Sequence, residues 1–238
     1  MKHAVAALAV VLLGVALLGS PKVHAIETGT TTVKSVQGQS LSDITIQRTR
    51  SSLPWYVVRA SGLIAGASLI ILMLSGIGSV TGHTFRFLEP LTAWATHRAL
   101  GIVFIISVLI HMAGLLFDQF VPFNLVSLLI PWASDYKQLN LFGVHLGSIF
   151  VAFGVFAFYG ALAVVLTSLF WVDKKPRVWK FLHISSYVVI ALTFFHALFL
   201  GTDTGEGWIR LAWITGGILI FSAAIARLRR VGVAHGKK

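Results

Sequence analysis

The stretch that decides the fold is WATHRALGIVFIISVLIHM, residues 94–112, which is apolar enough to cross a membrane and yet carries two histidines about four helical turns apart. A second apolar stretch, FLHISSYVVIALTFFHAL at residues 181–198, also carries two histidines. Ionisable residues within membrane helices are rare and usually functional, so these side chains need an explanation. The four histidines are His97, His111, His183 and His196.

The composition of the whole chain is that of a membrane protein. Of its 238 residues, 56% are hydrophobic and only 11% are charged, and the mean hydropathy is +0.85. Runs of about 20 apolar residues are typical of transmembrane helices, whereas a membrane barrel would show alternating apolar and polar residues. The sequence therefore predicts an all-α integral membrane bundle with five transmembrane helices after a signal peptide, or six if the leader is retained.

The transmembrane helices are expected in five long apolar segments. We expect them at about 55–77, 95–116, 142–170, 178–200 and 208–226. Between the second and third segments, a shorter apolar run is flanked by Pro122 and Pro131. This run is too short to span, so we expect it to lie along the membrane interface.

Four regions follow from these segments. Residues 1–25 have a positive start, a short apolar core and a small-x-small site at Val23-His24-Ala25, which is the pattern of a cleaved signal peptide, with an uncleaved anchor helix as the alternative. Residues 26–52 are polar and rich in Thr and Ser, so we interpret them as an exported arm. The transmembrane domain is expected over 53–227 and a basic cytoplasmic tail over 228–238.

The net charge of +11 is concentrated at two places. Lys and Arg cluster in the C-terminal tail and in the loop before Val178, whereas the loops with Asp118 and Asp203 are poor in them. Because basic loops stay in the cytoplasm, this bias predicts a cytoplasmic C-terminus and an outside N-terminus in a bacterial-type inner membrane. The charge thus indicates lipid contact and topology, and we expect no nucleic-acid binding.

The chain has no cysteine, which limits the redox chemistry open to it. Thiolate zinc sites, cysteine-ligated iron–sulfur clusters and covalent c-type haem are excluded. Haem b remains possible, because it needs only imidazole ligands and an apolar slot.

The topology places the four histidines in two pairs. The two helices that carry them run in the same direction, so His97 matches His183 in depth and His111 matches His196. Steps of 14 and 13 residues rise about 21 and 20 Å, which suits two bis-histidine haems b stacked across the bilayer. A 14-residue step returns nearly to the same face, but a 13-residue step leaves His196 about 140° from His183 on an ideal helix. Either that helix departs locally from ideal winding, or the two haems are offset sideways.

The same residues carry a family resemblance over roughly residues 55–226. The histidine spacing, with THRALG opening the first stretch and VWKFLHISSY opening the second, resembles the ferric reductase-like transmembrane domain. That superfamily includes ferric reductases, NADPH oxidases and the haem subunit of the periplasmic methionine sulfoxide reductase. The resemblance implies the same histidine pairing and electron flow from the cytoplasm outwards.

The sequence departs from the large members of this superfamily, because no FAD or NADPH domain or G-x-G-x-x-G unit follows the last helix. We therefore expect electrons from a separate flavoprotein, from a flavin (FMN or FAD) at the cytoplasmic face, or from a quinol. The acceptor would be extracytoplasmic, either ferric iron or an exported redox partner that docks on the arm. The chain would then be an oxidoreductase or an electron-transfer subunit without its own NAD(P)H domain.

Four cations near the ends of the helices are candidate ligands for haem propionates, since arginine and lysine bind carboxylates. Arg98 and Lys180 lie near the first histidine pair, and Arg59 and Arg210 near the second. The alternative for all four is snorkelling to the lipid head groups. Small residues in the first helix, including Gly62 and Gly66, would permit close packing of helices or of haem.

Two other functions remain open, besides that of a purely structural membrane subunit. One is a quinol-oxidising cytochrome b subunit of a larger complex, which would use the same histidines. The other is a proton or metal transporter that uses the histidines as its path. Against the transporter, the sequence has no internal inverted repeat and no Asp or Glu deep in a span.

Overall fold

The computed structural model describes residues 41–118, 123–136, 140–141, 144–205 and 207–235. Within them the chain is an all-α bundle, as predicted, with five helices long and apolar enough to cross a membrane. The proposed signal peptide, and the arm before residue 41, lie outside the described residues. The last part of the arm belongs to the first helix.

Four of the five spans begin earlier or end later than the apolar segments suggested, and the third begins later. The elements are α1 (Leu41–Thr81), a 3₁₀ turn (Thr84–Arg86), α2 (Pro90–Phe117), α3 (Leu125–Leu129), β1 (Asn140–Leu141), β2 (Val144–His145), α4 (Gly147–Phe170), α5 (Pro176–Ile184), α6 (Ser186–Leu200) and α7 (Gly207–His235). The spans lie at Ser52–Thr81, Pro90–Phe117, Gly147–Phe170, Pro176–Leu200 and Gly207–Arg227.

The third span begins at Gly147, so the predicted start at residue 142 was wrong. The reason is a short antiparallel pairing, in which Asn140 lies opposite His145 and Leu141 opposite Val144. This pairing uses backbone groups that a longer helix would need for itself.

The fourth span is not one continuous helix. It breaks at Ser185, whose N–H bonds to the carbonyl of Leu182 at 3.1 Å and whose own carbonyl accepts the N–H of Val188 at 2.9 Å. The Ser185 hydroxyl also donates to the Leu182 carbonyl, a contact that often bends helices. Hydrogen bonds between residues three apart wind the chain at about 120° per residue, whereas an ideal α-helix turns by about 100° per residue. One such turn moves His196 back towards the face of His183 by about 60°, so the local departure from ideal winding accounts for part of the offset of about 140°.

The segment between the second and third spans folds back along α4. The Tyr159 hydroxyl donates to the carbonyl of Leu129 at 2.9 Å, and the ring of Trp132 meets that of Phe156 edge-on at 5.3 Å. Tyr159 lies about 18 Å along α4 from its start, at a rise of 1.5 Å per residue. The segment does not span the bundle, as predicted. It was expected to lie at the membrane interface, level with the helix ends, but it contacts α4 much deeper than that.

The core lies where five elements meet. Phe104 of α2, Val189 and Ile190 of α6, and Ile220 of α7 are all at most 5% exposed and pack against α1 and α4. Large apolar side chains such as Ile71, Val188 and Leu219 are half exposed instead. On a soluble protein such a surface would be anomalous, but here it is the face that meets lipid.

Candidate functional site

The helices that carry the histidines are parallel, and each is partnered by an antiparallel neighbour. Helix α1 packs along α2, and α4 packs along α5 and α6. Because the two histidine helices point the same way, each end of the bundle receives one histidine from α2 and one from the α5–α6 span. We name these ends the His97 end and the His111 end.

At the His97 end the structure brings His97 and His183 together. The centroids of the two imidazole rings are 6.2 Å apart, with their planes tilted by 52°. Both rings are half-buried.

At the His111 end, His111 lies on α2 and His196 on α6, 14 and 13 residues beyond the histidines of the His97 end. Both are also half-buried. The structure thus shows a ring-to-ring contact for the pair at the His97 end, and the match in depth at the His111 end stays a prediction.

Each of the four rings is fixed through the same atom, Nδ1. At the His111 end the partners are backbone carbonyls, that of Val58 for His111 at 2.9 Å and that of Phe150 for His196 at 2.8 Å. A carbonyl can only accept, so Nδ1 carries the proton and the lone pair of Nε2 is left available. This is the arrangement by which proteins orient histidines that bind metals.

At the His97 end the partners are serine hydroxyls. The Oγ of Ser75 lies 3.0 Å from Nδ1 of His97 and donates its proton to the carbonyl of Leu72, so it accepts from the histidine. The Oγ of Ser168 lies 3.2 Å from Nδ1 of His183. All four anchors belong to α1 or α4, and none belongs to the helices that carry the histidines.

Glycines lie beneath three of the four rings. A Cβ at Gly154 would come within 2.6 Å of His196, and one at Gly62 within 3.1 Å of His111. A Cβ at Gly76 would be 3.3 Å from Cε1 of His97. The rings therefore pack directly against the backbones of α1 and α4, in space that a side chain at these glycines would occupy.

The four predicted cations have different surroundings. Arg98 and Lys180 are exposed, and the guanidinium of Arg98 lies 5.5 Å above the ring of Trp94. Arg210 is half-buried and donates to the carbonyl of Gly205 at 2.8 Å.

Arg59 differs from the other three, because it forms a two-point ion pair with Asp203. Its Nε donates to Asp203 Oδ2 at 2.9 Å and its Nη2 to Oδ1, and its guanidinium also lies 4.1 Å above the ring of Trp55. The hydrogen bond and charge of Arg59 hold the pKa of the Asp203 carboxyl below its usual range.

Several residues of the site were not identified from the sequence. Ser75 and Ser168 are such residues, and so is Asp203, which was read only as a loop charge. Arg227 was counted only for topology, but its Nη1 donates to the hydroxyl of Tyr187 at 2.6 Å, near the His97 end. Arg227 follows the buried Ile220 by two helical turns and so lies on the same face of α7.

The comparisons with known proteins agree with this architecture. Residues 61–194, more than half of the chain, match the family described as ferric reductase like transmembrane component. No curated protein and no solved structure gives a significant match. Members of this family generally bind haem, and the domain indicates a role in electron transfer across a membrane. The chain therefore belongs to the ferric reductase-like transmembrane family.

Proposed function

We propose that this protein is a two-haem cytochrome b that moves electrons across the membrane. One haem would be held by His97 and His183, and the other by His111 and His196. The observation that carries the proposal is that four imidazoles, in two pairs, are each anchored at Nδ1 so that Nε2 is available.

The separation of the first pair fits an iron between the rings. An imidazole has a radius of about 1.1 Å if its bonds are about 1.33 Å long. Adding a metal–nitrogen bond of about 2.0 Å on each side gives centroids about 6.2 Å apart. The 6.2 Å between His97 and His183 agrees with this value. No group of three or more metal-binding side chains forms among the described residues, whereas a haem needs only two axial ligands.

The chain's own residues would bind, orient and insulate the haems. The four histidines would hold the haems, and haem b, when bound, would supply reversible one-electron transfer. The apolar cluster around Phe104 and Ile190 separates the two sites and excludes water from the space between them. Arg98, Lys180 and Arg210 remain candidates for binding propionates, and Arg59 would have to share its guanidinium with Asp203.

We further propose that electrons enter at the His97 end from a cytoplasmic flavoprotein, a bound flavin or a quinol. They would leave at the His111 end to an extracytoplasmic acceptor, which would be ferric iron or a redox partner protein. Exposed cations at the His97 end, among them Arg98, Lys175 and Lys180, support a cytoplasmic orientation of this end.

The test is a visible difference spectrum, reduced minus oxidised, on the purified protein, with haem quantified per chain. We expect two low-spin b-type haems. His111→Leu and His196→Leu should each remove one haem and leave the other, and His83→Leu should remove none, because His83 is exposed and bonds only to Thr81 in the described part of the chain. A colourless protein, expressed with adequate haem, would refute the proposal and favour the transporter.

The electron donor needs a second experiment. Reduction of the haems by a quinol analogue would favour the quinol-oxidising subunit. Reduction that requires a cytosolic flavoprotein would favour the leading proposal.

A further inference from the structure

Trp179 contacts the His97 end in two ways. Its ring lies 5.3 Å from that of His183, with the planes tilted by 34°. Its Nε1 also donates to the Oγ of Ser168 at 3.1 Å. That oxygen is the same atom that lies 3.2 Å from Nδ1 of His183. Trp179, Ser168 and His183 thus form one connected hydrogen-bonded group.

The capacity of each atom determines how this group works. An indole N–H can only donate, and a hydroxyl oxygen has two lone pairs. A histidine that offers Nε2 to a metal carries its proton on Nδ1 and must donate to Ser168. Both lone pairs of Ser168 are then used, one by Trp179 and one by His183.

The other serine at this end is placed differently. Ser75 donates to the carbonyl of Leu72 at 3.0 Å and accepts from His97 at 3.0 Å. A hydroxyl that donates its own proton becomes a stronger acceptor, because hydrogen bonds in a chain polarise one another. A hydroxyl whose second lone pair is already used is a weaker acceptor. We therefore expect His183 to be held by a weaker hydrogen bond than His97.

We propose that Trp179 is a positioning residue that sets the reduction potential of the haem at the His97 end, by weakening the hydrogen bond that Ser168 accepts from His183. The inference rests on the proposed function, since it concerns a haem held by His97 and His183. A strong hydrogen bond from Nδ1 raises the basicity of the imidazole, and a more basic ligand favours ferric iron over ferrous iron. Weakening this bond therefore raises the potential.

The inference predicts opposite effects for two substitutions in the same group. Trp179→Phe keeps an aromatic ring beside His183 but frees a lone pair of Ser168, so the hydrogen bond strengthens and the potential falls. Ser168→Ala removes the acceptor, so the potential rises. We expect each change to alter the reduction equilibrium by several-fold and at most about tenfold, which is about 59 mV for one electron.

The experiment is a potentiometric titration of the full chain in detergent, followed in the visible spectrum and by electron paramagnetic resonance. Haem per chain is measured first in every sample. Trp171→Phe is the matched control, because Trp171 lies at the same end of the bundle but contacts Lys175 instead of a histidine. We expect the control to leave both potentials unchanged, and the haem at the His111 end to be unaffected by any of the three substitutions.

The outcomes separate the two proposals. Opposite shifts of one haem would support the inference. Shifts in the same direction, or an unchanged potential in Trp179→Phe, would overturn it while two bound haems still support the proposed function. If Ser168→Ala loses its haem, the direction of the potential shift in Trp179→Phe decides alone. The inference predicts a fall, whereas a substitution that merely loosens the His183 ligand would raise the potential. A wild-type chain without haem would overturn both proposals.

Discussion

A substitution of Gly154 by alanine tests the close approach of His196 to α4. The new Cβ would lie 2.6 Å from both Cε1 and Nδ1 of His196. Ordinary contacts between such atoms are about 3.5–4.0 Å, so the ring must retreat by about 1 Å. A retreat of this size would stretch the 2.8 Å bond from Nδ1 to the carbonyl of Phe150 beyond hydrogen-bonding distance.

The cost of this change has two parts. Overpacking costs about 1–3 kcal/mol. Loss of the orienting hydrogen bond adds about 1 kcal/mol. Metal sites that lose such a partner commonly bind about 10- to 100-fold more weakly. We therefore expect Gly154→Ala to lose the haem at the His111 end and to keep the other.

The assay is haem per chain, with the reduced-minus-oxidised spectrum recorded on the same sample. Two other glycines provide a graded series, because a Cβ would lie 3.1 Å from His111 at Gly62 and 3.3 Å from His97 at Gly76. These need only a few tenths of an ångström of adjustment, so both variants should retain two haems. Gly101→Ala is the control, with no atom within 4 Å of the new Cβ. If Gly154→Ala binds two haems with the same spectrum as Gly101→Ala, the inferred contact between His196 and α4 is wrong.

Three further predictions concern stability and the anchors. Asp203→Asn should lower the free energy of unfolding by about 1–3 kcal/mol at pH 7, since it breaks a charged, two-point pair whose Asp203 side chain is only 12% exposed. Folding lowers the pKa of Asp203, so the ion pair contributes its full stability above the unfolded pKa of about 3.9. This contribution is lost as the pH falls through the folded pKa. The difference in thermal unfolding between Asp203→Asn and wild type should therefore shrink at acid pH. Tyr159→Phe removes the hydroxyl that donates to the Leu129 carbonyl, so it should lower the free energy of unfolding by about 1 kcal/mol and speed hydrogen exchange in residues 123–136. Tyr56→Phe is the control. Arg227→Gln should keep both haems but shift the potential of the haem at the His97 end downwards, because it removes a positive charge near His183, and an unchanged potential would contradict this placement.

The sequence predicted the parts of the fold that depend on length and composition. The five spans and the shared direction of the two histidine helices follow from apolar runs and from loop order. Because these helices run in the same direction, the rise per residue was then enough to match His97 with His183 in depth. The start of α4 at Gly147 was missed, because the pairing of Asn140 with His145 is a local backbone preference that hydropathy does not report.

The anchors of the histidines could not be predicted in the same way. The carbonyls of Val58 and Phe150 carry no sequence signal, since every residue has one. The break at Ser185 accounts for part of the angular offset that the 13-residue step creates, but a serine in a membrane helix does not by itself indicate a bend. Asp203 was counted as a loop charge, because its pairing with Arg59 depends on how the loop after α6 folds against α1.

One signal for the site was nevertheless present in the helices that carry no ligand. Gly62 and Gly76 in α1 are 14 residues apart, the same step as that between His97 and His111. An antiparallel partner whose small residues repeat at the step of the histidines leaves room for an imidazole at both depths.

Helix α4 has a 14-residue step between Gly154 and Ser168, which lie against His196 and His183, although these two histidines are 13 residues apart. Gly66, in contrast, is contacted by the ring of Trp213, so the G-x-x-x-G pair of α1 does not bring two helix backbones together. In this bundle, therefore, the small residues of α1 repeat at the step of the histidines that they face, and those of α4 repeat at a step one residue longer, so both partner helices accommodate an imidazole at two depths.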